Sequence, residues 1–306
     1  MNTHTIITAP VGFLIECHHD TVTRLQRYQK LHQKSSWLWT LKQQKIPYYF
    51  LTGNPSAPSL TPPEKIPHQD QIDPYFKDQA RHSPHILYYL ISQLIPKTRL
   101  SKDFLQVYLP PSSQYRSLIW WIGYYYLIYM HHNSDHRQPQ QWIHIPDHCW
   151  VNLEKINKHL SKYPNPAYHY LGNLSTQSRT PTISSYSPVT SYPSQPPYLR
   201  PYFGPWFDGD QGLIFSIETL RQYLSPVHAV YLWTDIFPDK AMADVLTHPT
   251  LPHQQSQYPN RIPYWFISAP YPRHKKPDPS WIKQCLFITG YYSLTKPNTG
   301  VSTTHS

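Results

Sequence analysis

Three consecutive segments near the N-terminus set the fold class: TIITAPVGFLIE (5–16), DTVTRLQRYQKLHQKSSWLWTLKQ (20–43) and IPYYFLT (46–52). The first and third are short runs of β-branched and apolar residues, a composition typical of buried strands. The second has apolar residues near helical spacing and begins at Asp20 or Thr21, either of which can cap a helix. Strand, helix and strand in this order predict a βαβ unit, because two parallel strands need a crossover between them.

The alternation of strand and helix continues to about residue 170. The predicted elements are a helix at HILYYLISQL (85–94), a third strand at DFLQVYL (103–109), an aromatic helix at 112–131, a fourth strand at WIHI (142–145), a helix capped by Asn152, a strand at AYHYLGNL (167–174), a strand at GLIFS (212–216) and a helix at ETLRQYL (218–224). We therefore expect an α/β fold with one mixed sheet flanked by helices.

The composition indicates a globular chain with a basic surface. Its 306 residues include 34 Pro, 26 Tyr and 10 Trp, and only 14% are charged, which is the reverse of a disordered polyelectrolyte. The formal net charge of +10 suits a polyanionic partner. The basic residues are dispersed, however, and their one compact run is RHKK (273–276). A nucleic-acid partner is therefore disfavoured, and a basic, aromatic-rich protein that binds nucleic acid or an acidic partner is kept as the alternative function.

Cysteine usage and hydropathy exclude two further classes of protein. Cys17, Cys149 and Cys285 are far apart in the sequence, so neither a zinc ribbon nor a disulfide framework is supported. The longest apolar run, LIWWIGYYYLIYM (118–130), is shorter than the roughly 20 residues that a membrane-spanning helix needs. We therefore expect no transmembrane segment and, since the N-terminus lacks a basic region and a cleavage site, no signal peptide.

Five segments follow one another in the order of a known family: FLQVYLPPSSQYRSLIWW (104–121), WIHIPDHCWVNLEKINKHLSKYP (142–164), YHYLGNL (168–174), LRPYFGPWFDGDQGLIFS (199–216) and FPDKAMADVL (237–246). In order and spacing they resemble the β-1,3-glycosyltransferases of glycosyltransferase family 31, which include the fringe enzymes. The resemblance spans most of the chain, although no single motif is intact.

The resemblance implies a Rossmann-like mixed sheet of the glycosyltransferase A type, a UDP-sugar donor, Mn²⁺, and inverting hexosyl transfer to a glycan or glycoprotein acceptor. It also implies a single domain over residues 1–306. The expected parts are a nucleotide-binding half (1–172), a Pro/Ser-rich loop or hairpin (173–200), an acceptor half (201–290) and a flexible tail (291–306). Family members are usually anchored in the Golgi lumen, whereas the first predicted strand here begins almost at Met1. Either the N-terminus is incomplete, or the protein is not lumenal, in which case a soluble cytoplasmic protein is expected.

The metal-binding corner of the family aligns with Pro146-Asp147-His148, where only the middle of three aspartates is retained. The resemblance implies that Asp147 and His148 hold Mn²⁺ or UDP, and that His274 lies near a metal-ligating position. The other interpretation is an ordinary tight turn, in which Pro and Asp are common. Replacing two hard oxygen ligands weakens a Mn²⁺ site, so this turn is the favoured interpretation of the corner.

The catalytic base of the family aligns with Lys240, which is protonated at neutral pH and cannot accept a proton. If the chain is active, we expect Asp239, the preceding residue, to be the catalytic base, with Asp235 or Asp244 as alternatives. Otherwise Asp239 caps the helix that begins at Lys240, and this cap is the favoured interpretation. The resemblance also implies substrate contacts from Trp206, Asp208, Asp210 and Gly212, which align with the Gly-rich stretch of the family, and from Asp147. The replacements at Pro146, His148 and Lys240 predict a β-1,3-glycosyltransferase-like protein. It is either an enzyme with rearranged ligands or a pseudoenzyme that binds a UDP-sugar or glycan without transferring it.

Overall fold

The computed structural model describes residues 7, 10–34, 36–60, 85–112, 115–131, 138–161, 170–172, 207–225, 238–239, 241–242, 264–266 and 287–288. The strands are β1 (Val11–Glu16), β2 (Tyr48–Gly53), β3 (Arg99–Ser101), β4 (Phe104–Val107), β5 (Gln141–Pro146), β6 (Trp150–Val151), β7 (Tyr170–Gly172), β8 (Leu213–Ser216), β9 (Tyr264–Phe266) and β10 (Phe287–Ile288). The helices are α1 (Thr21–Leu31), α2 (Trp37–Gln43), α3 (His85–Leu94), α4 (Arg116–Tyr125), α5 (Leu153–Ser161) and α6 (Ile217–Tyr223).

Four parallel strands form the centre of the sheet. β1 pairs with β2 on one side and with β5 on the other, and β2 pairs with β4. The chain thus moves outward from β1 to β2 and β4, and then returns to place β5 on the opposite side of β1. Where the connections leave in opposite directions, a crevice opens at the carboxyl ends of the strands. In this sheet that position lies between β1 and β5.

Antiparallel pairings extend this parallel centre into a mixed sheet. β8 runs antiparallel to both β5 and β7, and β9 pairs in parallel with β7. β3 adds an antiparallel strand at the other edge. The described strands of the large sheet have the order β3-β4-β2-β1-β5-β8-β7-β9, and a second, small sheet pairs β10 with β6. The predicted α/β class with one mixed, helix-flanked main sheet is confirmed.

The helices cover both faces of the sheet, and each face has its own apolar core. On one face α3, α4 and α6 pack against Leu14, Leu51 and Leu105. On the other face α1, α2 and α5 pack against Phe13 and Ile15. The alternation of Phe13, Leu14 and Ile15 between the two cores follows from the two-residue period of a strand. Because both faces are covered, the central strands carry apolar residues on both sides rather than on one side only.

The aromatic helix lies closest to the sheet. Trp120 and Trp121 in α4 are fully buried. At Gly123 a Cβ atom would lie 2.5 Å from Leu51 Cδ1, so glycine allows α4 to approach β2. A π-helical turn over Tyr126–Met130 follows α4, within the predicted helical range.

Two predicted elements differ from the structure. The single helix expected at 20–43 is two helices, because Ser36 caps a new start: its Oγ accepts from the Trp39 N–H at 3.1 Å and donates to the Leu31 carbonyl. Such local side-chain bonds compete with a continuous helix.

The strand expected at 103–109 is shorter and is preceded by β3, with a tight turn at Lys102, whose φ is 54°. The Asn152 cap is confirmed by a 3.2 Å bond from the Lys155 N–H.

Further sequence predictions concern the cysteines, a membrane-spanning helix and the segments at 173–200 and 291–306. Cys17 and Cys149 are not joined by a disulfide, and Cys285 lies outside the described residues. None of the helices in the described ranges is long and apolar enough to cross a membrane. The predicted loop or hairpin at 173–200 and the tail at 291–306 also lie outside the described residues.

Replacing Ser216 with alanine is expected to lower the free energy of unfolding by about 1 kcal/mol. Ser216 ends β8 and caps α6, where its buried Oγ accepts from the Thr219 N–H at 3.2 Å and lies 2.9 Å from the Thr219 hydroxyl. Urea unfolding measures the change. Ser161→Ala, at the exposed end of α5, is the matched control and is expected to change stability by less than about 0.5 kcal/mol. Equal effects for the two variants would contradict the assigned cap.

Candidate functional site

A cavity of about 440 Å³ lies at the carboxyl ends of β1, β2 and β5. Its walls come from the residues that follow these strands, from α1 and α4, and from the turn before β8: Glu16, Cys17, His18, His19, Arg27, Leu51, Thr52, Gly53, Pro111, Ser112, Arg116, Ile119, Pro146, Asp147, His148 and Asp210. The volume falls within the range of small-molecule sites. Its position is the crevice between β1 and β5, where ligands of open α/β sheets bind.

Arg116, the first residue of α4, holds one side of the cavity together. Its Nε and Nη2 donate to the two Glu16 carboxylate oxygens at 2.5 and 2.7 Å, and Nη2 also donates to Asp210 Oδ1 at 2.8 Å. Burial raises the pKa of Glu16, but the Arg116 guanidinium outweighs it and holds that pKa well below its usual value. The arrangement joins the end of β1, the start of α4 and the turn before β8.

Asp147 forms the opposite corner of the cavity. It is 2% exposed, its Oδ1 lies 2.5 Å from Arg27 Nη1, and its Oδ2 accepts from the His18 N–H at 2.8 Å. Its own N–H donates to the Glu16 carbonyl at 2.8 Å. Arg27 Nη1 also lies 3.3 Å from His148 Nδ1. Asp147 therefore ties the ends of β1 and β5 together and neutralises Arg27.

A buried histidine connects the cavity to the core. His144 in β5 is fully buried, with Nδ1 2.7 Å from the Tyr124 hydroxyl and Nε2 3.6 Å from Glu16 Oε2. The Trp120 ring packs against it with centroids 3.7 Å apart. Burial lowers the pKa of His144 despite the opposing effect of Glu16. The lowered pKa favours the neutral imidazole, which lies between the Tyr124 hydroxyl and Glu16.

The structure brings three of the predicted site residues together, since Asp147, His148 and Asp210 line the same cavity. Asp208 lies beside them and caps the turn Gly209–Gln211, accepting from the Asp210 N–H at 3.0 Å. Gly212 is buried at the start of β8 with φ of +90°, a conformation that favours glycine. The backbone conformation is therefore sufficient to explain why a glycine stands at position 212.

Asp239, the predicted base, lies in a helical turn and is 5% exposed. Its Oδ2 accepts from the Gly209 N–H at 3.1 Å, so the carboxylate lies behind the turn that carries Asp210 and is not among the described residues that line the cavity. Burial raises the pKa of Asp239 to about 6, although the Gly209 N–H and Arg116 oppose the shift. Trp206 and His274 lie outside the described residues.

The residues at the predicted metal corner do not fit Mn²⁺. In the part of the chain that the structure describes, no group of three or more His, Cys, Asp or Glu side chains is arranged to hold a metal ion. His148 Nδ1 and Asp147 Oδ1 lie 3.7 Å apart, and Arg27 contacts both atoms. A cation at this place would have to displace the guanidinium and would meet its positive charge. The interpretation of Pro146-Asp147-His148 as a turn agrees with the geometry, because Asp147 and His148 form a turn after β5.

No protein-family model matches the sequence, and no curated protein is significantly similar to it. The chemistry of the cavity is therefore inferred from its own side chains. Arg27 and Arg116 supply guanidinium donors that are paired with Asp147, Glu16 and Asp210. The imidazoles of His18, His19 and His148 supply further polar groups. Such a set binds anionic or hydroxyl-rich ligands.

Sequence reasoning missed Glu16, Arg27, Arg116 and His144. The first three are joined to their partners over sequence separations of 94 to 120 residues, which no local pattern reveals. One signal was present: Glu16 is the only carboxylate that ends an otherwise apolar predicted strand, and a charge at the carboxyl end of a central strand marks a site.

Proposed function

We propose that this chain is a β-1,3-glycosyltransferase-like protein that binds a UDP-sugar in the cavity between β1 and β5. The observation that carries the proposal is the position of the cavity: it opens at the carboxyl ends of the parallel strands, where the connections diverge, and two arginines line it. Nucleotides bind at this position in doubly wound sheets. The resemblance of the chain's segments to the family, in the same order, supports the nucleotide sugar as ligand.

The topology of the sheet also supports a fold of the glycosyltransferase A type. With the short edge strand β3 left aside, the order along the large sheet is β4-β2-β1-β5-β8-β7-β9. A parallel, nucleotide-binding half is thus joined to a second half through one strand, β8, that runs antiparallel to both of its neighbours. The parallel strands β1, β2, β4 and β5 all lie within residues 1–172, the proposed nucleotide-binding region, although β7 of the second half also falls in that range.

Binding is better supported than turnover. Transfer would form a bond between the acceptor oxygen and the anomeric carbon, break the bond from that carbon to the phosphate oxygen, and move the hydroxyl proton to a carboxylate. Asp210 lines the cavity but is paired with Arg116, and Asp239 lies behind the turn at Gly209. The proposal is therefore a donor-binding protein, and Asp239 remains the proposed base if the chain is active.

Thermal unfolding in the presence of UDP and a panel of UDP-sugars tests the proposal. A ligand at 100 times its dissociation constant adds about 2.7 kcal/mol to the stability of the folded state. We therefore expect the Tm to rise by roughly 5 °C with UDP or one UDP-sugar. Uridine, which lacks the diphosphate, serves as control and is expected to give a smaller shift.

Two results would contradict this function. The first is no shift with any nucleotide sugar, with or without Mn²⁺. The second is tight binding of a single-stranded oligonucleotide whose affinity falls steeply with salt, which would favour the alternative of a basic nucleic-acid-binding protein.

A further inference from the structure

At the Asp147 corner of the cavity, the arginine of the ion pair is more exposed than its carboxylate partner. The Asp147 side chain is 3% exposed, whereas that of its partner Arg27 is 26% exposed. The same holds on the other side, where the values are 13% for Glu16 and 28% for Arg116. Arg116 also pairs with Asp210, whose side chain is the more exposed of the two, at 38% against 28%. At the Asp147 corner, by contrast, the carboxylate is hidden and the Arg27 guanidinium is the group that faces a ligand.

Arg27 keeps donors for a ligand. Its contacts with Asp147 and His148 are both made through Nη1, and a guanidinium has five N–H donors in all. Three imidazoles lie at the same end of the cavity: His148 beside Arg27, and His18 and His19, whose rings stack with centroids 4.2 Å apart. Guanidinium and imidazole groups together form the donor set that recognises phosphate oxygens.

We infer that this corner binds a phosphate-bearing ligand directly, through Arg27 and the neighbouring histidines, without a divalent cation. The inference rests on the proposed function when the ligand is taken to be the diphosphate of a UDP-sugar. The guanidinium then supplies the positive charge that a metal ion would otherwise place beside the diphosphate. The family resemblance implied Mn²⁺ at this corner, and the Arg27–Asp147 pair replaces it.

Calorimetric titration at one fixed pH tests the inference, with inorganic pyrophosphate and UDP as probes, in EDTA and in Mn²⁺. Both probes are expected to bind in EDTA, and Mn²⁺ is expected to change the affinity for UDP by less than about 3-fold. The double variant Arg27→Gln/Asp147→Asn removes the cation without leaving a buried carboxylate unpaired. It is expected to weaken pyrophosphate binding by about 10-fold or more, because the charge-assisted hydrogen bonds from the guanidinium are lost.

His148→Ala is a second variant, at a partly exposed position, and is expected to weaken pyrophosphate binding by several-fold. Lys30→Gln, which removes a positive charge from an exposed position of the same helix, is the matched control and is expected to leave binding unchanged.

The outcomes separate this inference from the proposed function. UDP binding that requires Mn²⁺ would overturn the inference and leave the function intact. If pyrophosphate binds in EDTA and UDP binds no more tightly than pyrophosphate, phosphate binding without a metal ion would be supported and the nucleotide-sugar function would be contradicted. No binding of either probe would overturn both. Equal losses in the double variant and in Lys30→Gln would show that Arg27 does not contact the ligand.

Discussion

Replacing Arg116 with methionine is expected to lower the free energy of unfolding at pH 7 by about 3 kcal/mol, because it removes one partner of a partly buried ion pair. Methionine retains an unbranched apolar chain near the Trp120 ring, which lies 5.6 Å from the guanidinium carbon. The variant loses both bonds to Glu16 and the bond to Asp210. Glu16, whose side chain is 13% exposed, is then left without its counter-ion.

The loss in Arg116→Met has a defined pH dependence. Arg116 holds the pKa of Glu16 below the value in the unfolded chain, so the pair contributes stability above about pH 4.3 and this contribution is lost as the pH falls. The difference between the wild type and the variant is therefore expected to shrink in acid. Denaturant unfolding at a series of pH values measures it.

Arg221→Met is the matched control for Arg116→Met. Arg221 pairs with Glu218 at 2.6 Å, but both side chains are exposed, at 45% and 43%. Removing an exposed pair is expected to change stability by less than about 0.5 kcal/mol. Adding Glu16→Gln to Arg116→Met should recover part of the loss, since it removes the unpaired charge. A loss in Arg116→Met no larger than that in Arg221→Met would contradict the clamp formed by Glu16, Arg116 and Asp210.

Replacing Asp239 with asparagine is expected to stabilise the protein at pH 7 by about 3 kcal/mol. Burial raises the pKa of Asp239 to about 6, whereas an unfolded aspartate ionises near pH 3.9. The folded state thus favours the neutral acid, and stability is lost as the pH rises from about 4 through 6. Asparagine has the same shape and can still accept from the Gly209 N–H. The gain should therefore vanish below about pH 4.

Thermal unfolding of Asp239→Asn between pH 3.5 and 7.5 measures this gain, with the exposed Glu218→Gln as control. The same variant tests the proposed base. If UDP release is detected in the wild type, it should fall by at least about 100-fold in Asp239→Asn, because asparagine accepts no proton. Greater stability together with lost turnover is the pattern of a functional residue. Unchanged turnover would show that Asp239 is not the base, and a pH-independent difference in stability would contradict its raised pKa.

Much of the secondary structure could be predicted because its signals are local. The runs at 11–16 and 48–53 are apolar enough to be buried strands in any context, and Asn152 caps a helix through a bond to a residue three positions away. The break at Ser36 was missed because apolar residues continue at helical spacing on both sides of it. The edge strand β3 was missed because three residues carry too little pattern to predict a strand.

The candidate site was predictable only in part. Asp147, His148 and Asp210 were found because a family resemblance indicated them, and they do share one cavity. The roles of these residues could not be predicted from the sequence, because their partners are distant in it. Arg27 is 120 residues from Asp147, and Arg116 is 94 residues from Asp210. Whether a carboxylate holds a metal ion or an arginine depends on which side chain the fold brings beside it.

For this chain, composition and periodicity were sufficient for the α/β class and for the identity of the buried segments, because burial of apolar side chains depends on patterns a few residues long. The order β4-β2-β1-β5, the cavity between β1 and β5, and the pairing of Asp147 with Arg27 depended on the folded chain. Electrostatic interactions act through space between residues far apart in sequence, and burial strengthens them. The charge that this cavity presents to a ligand is therefore a property of the tertiary structure.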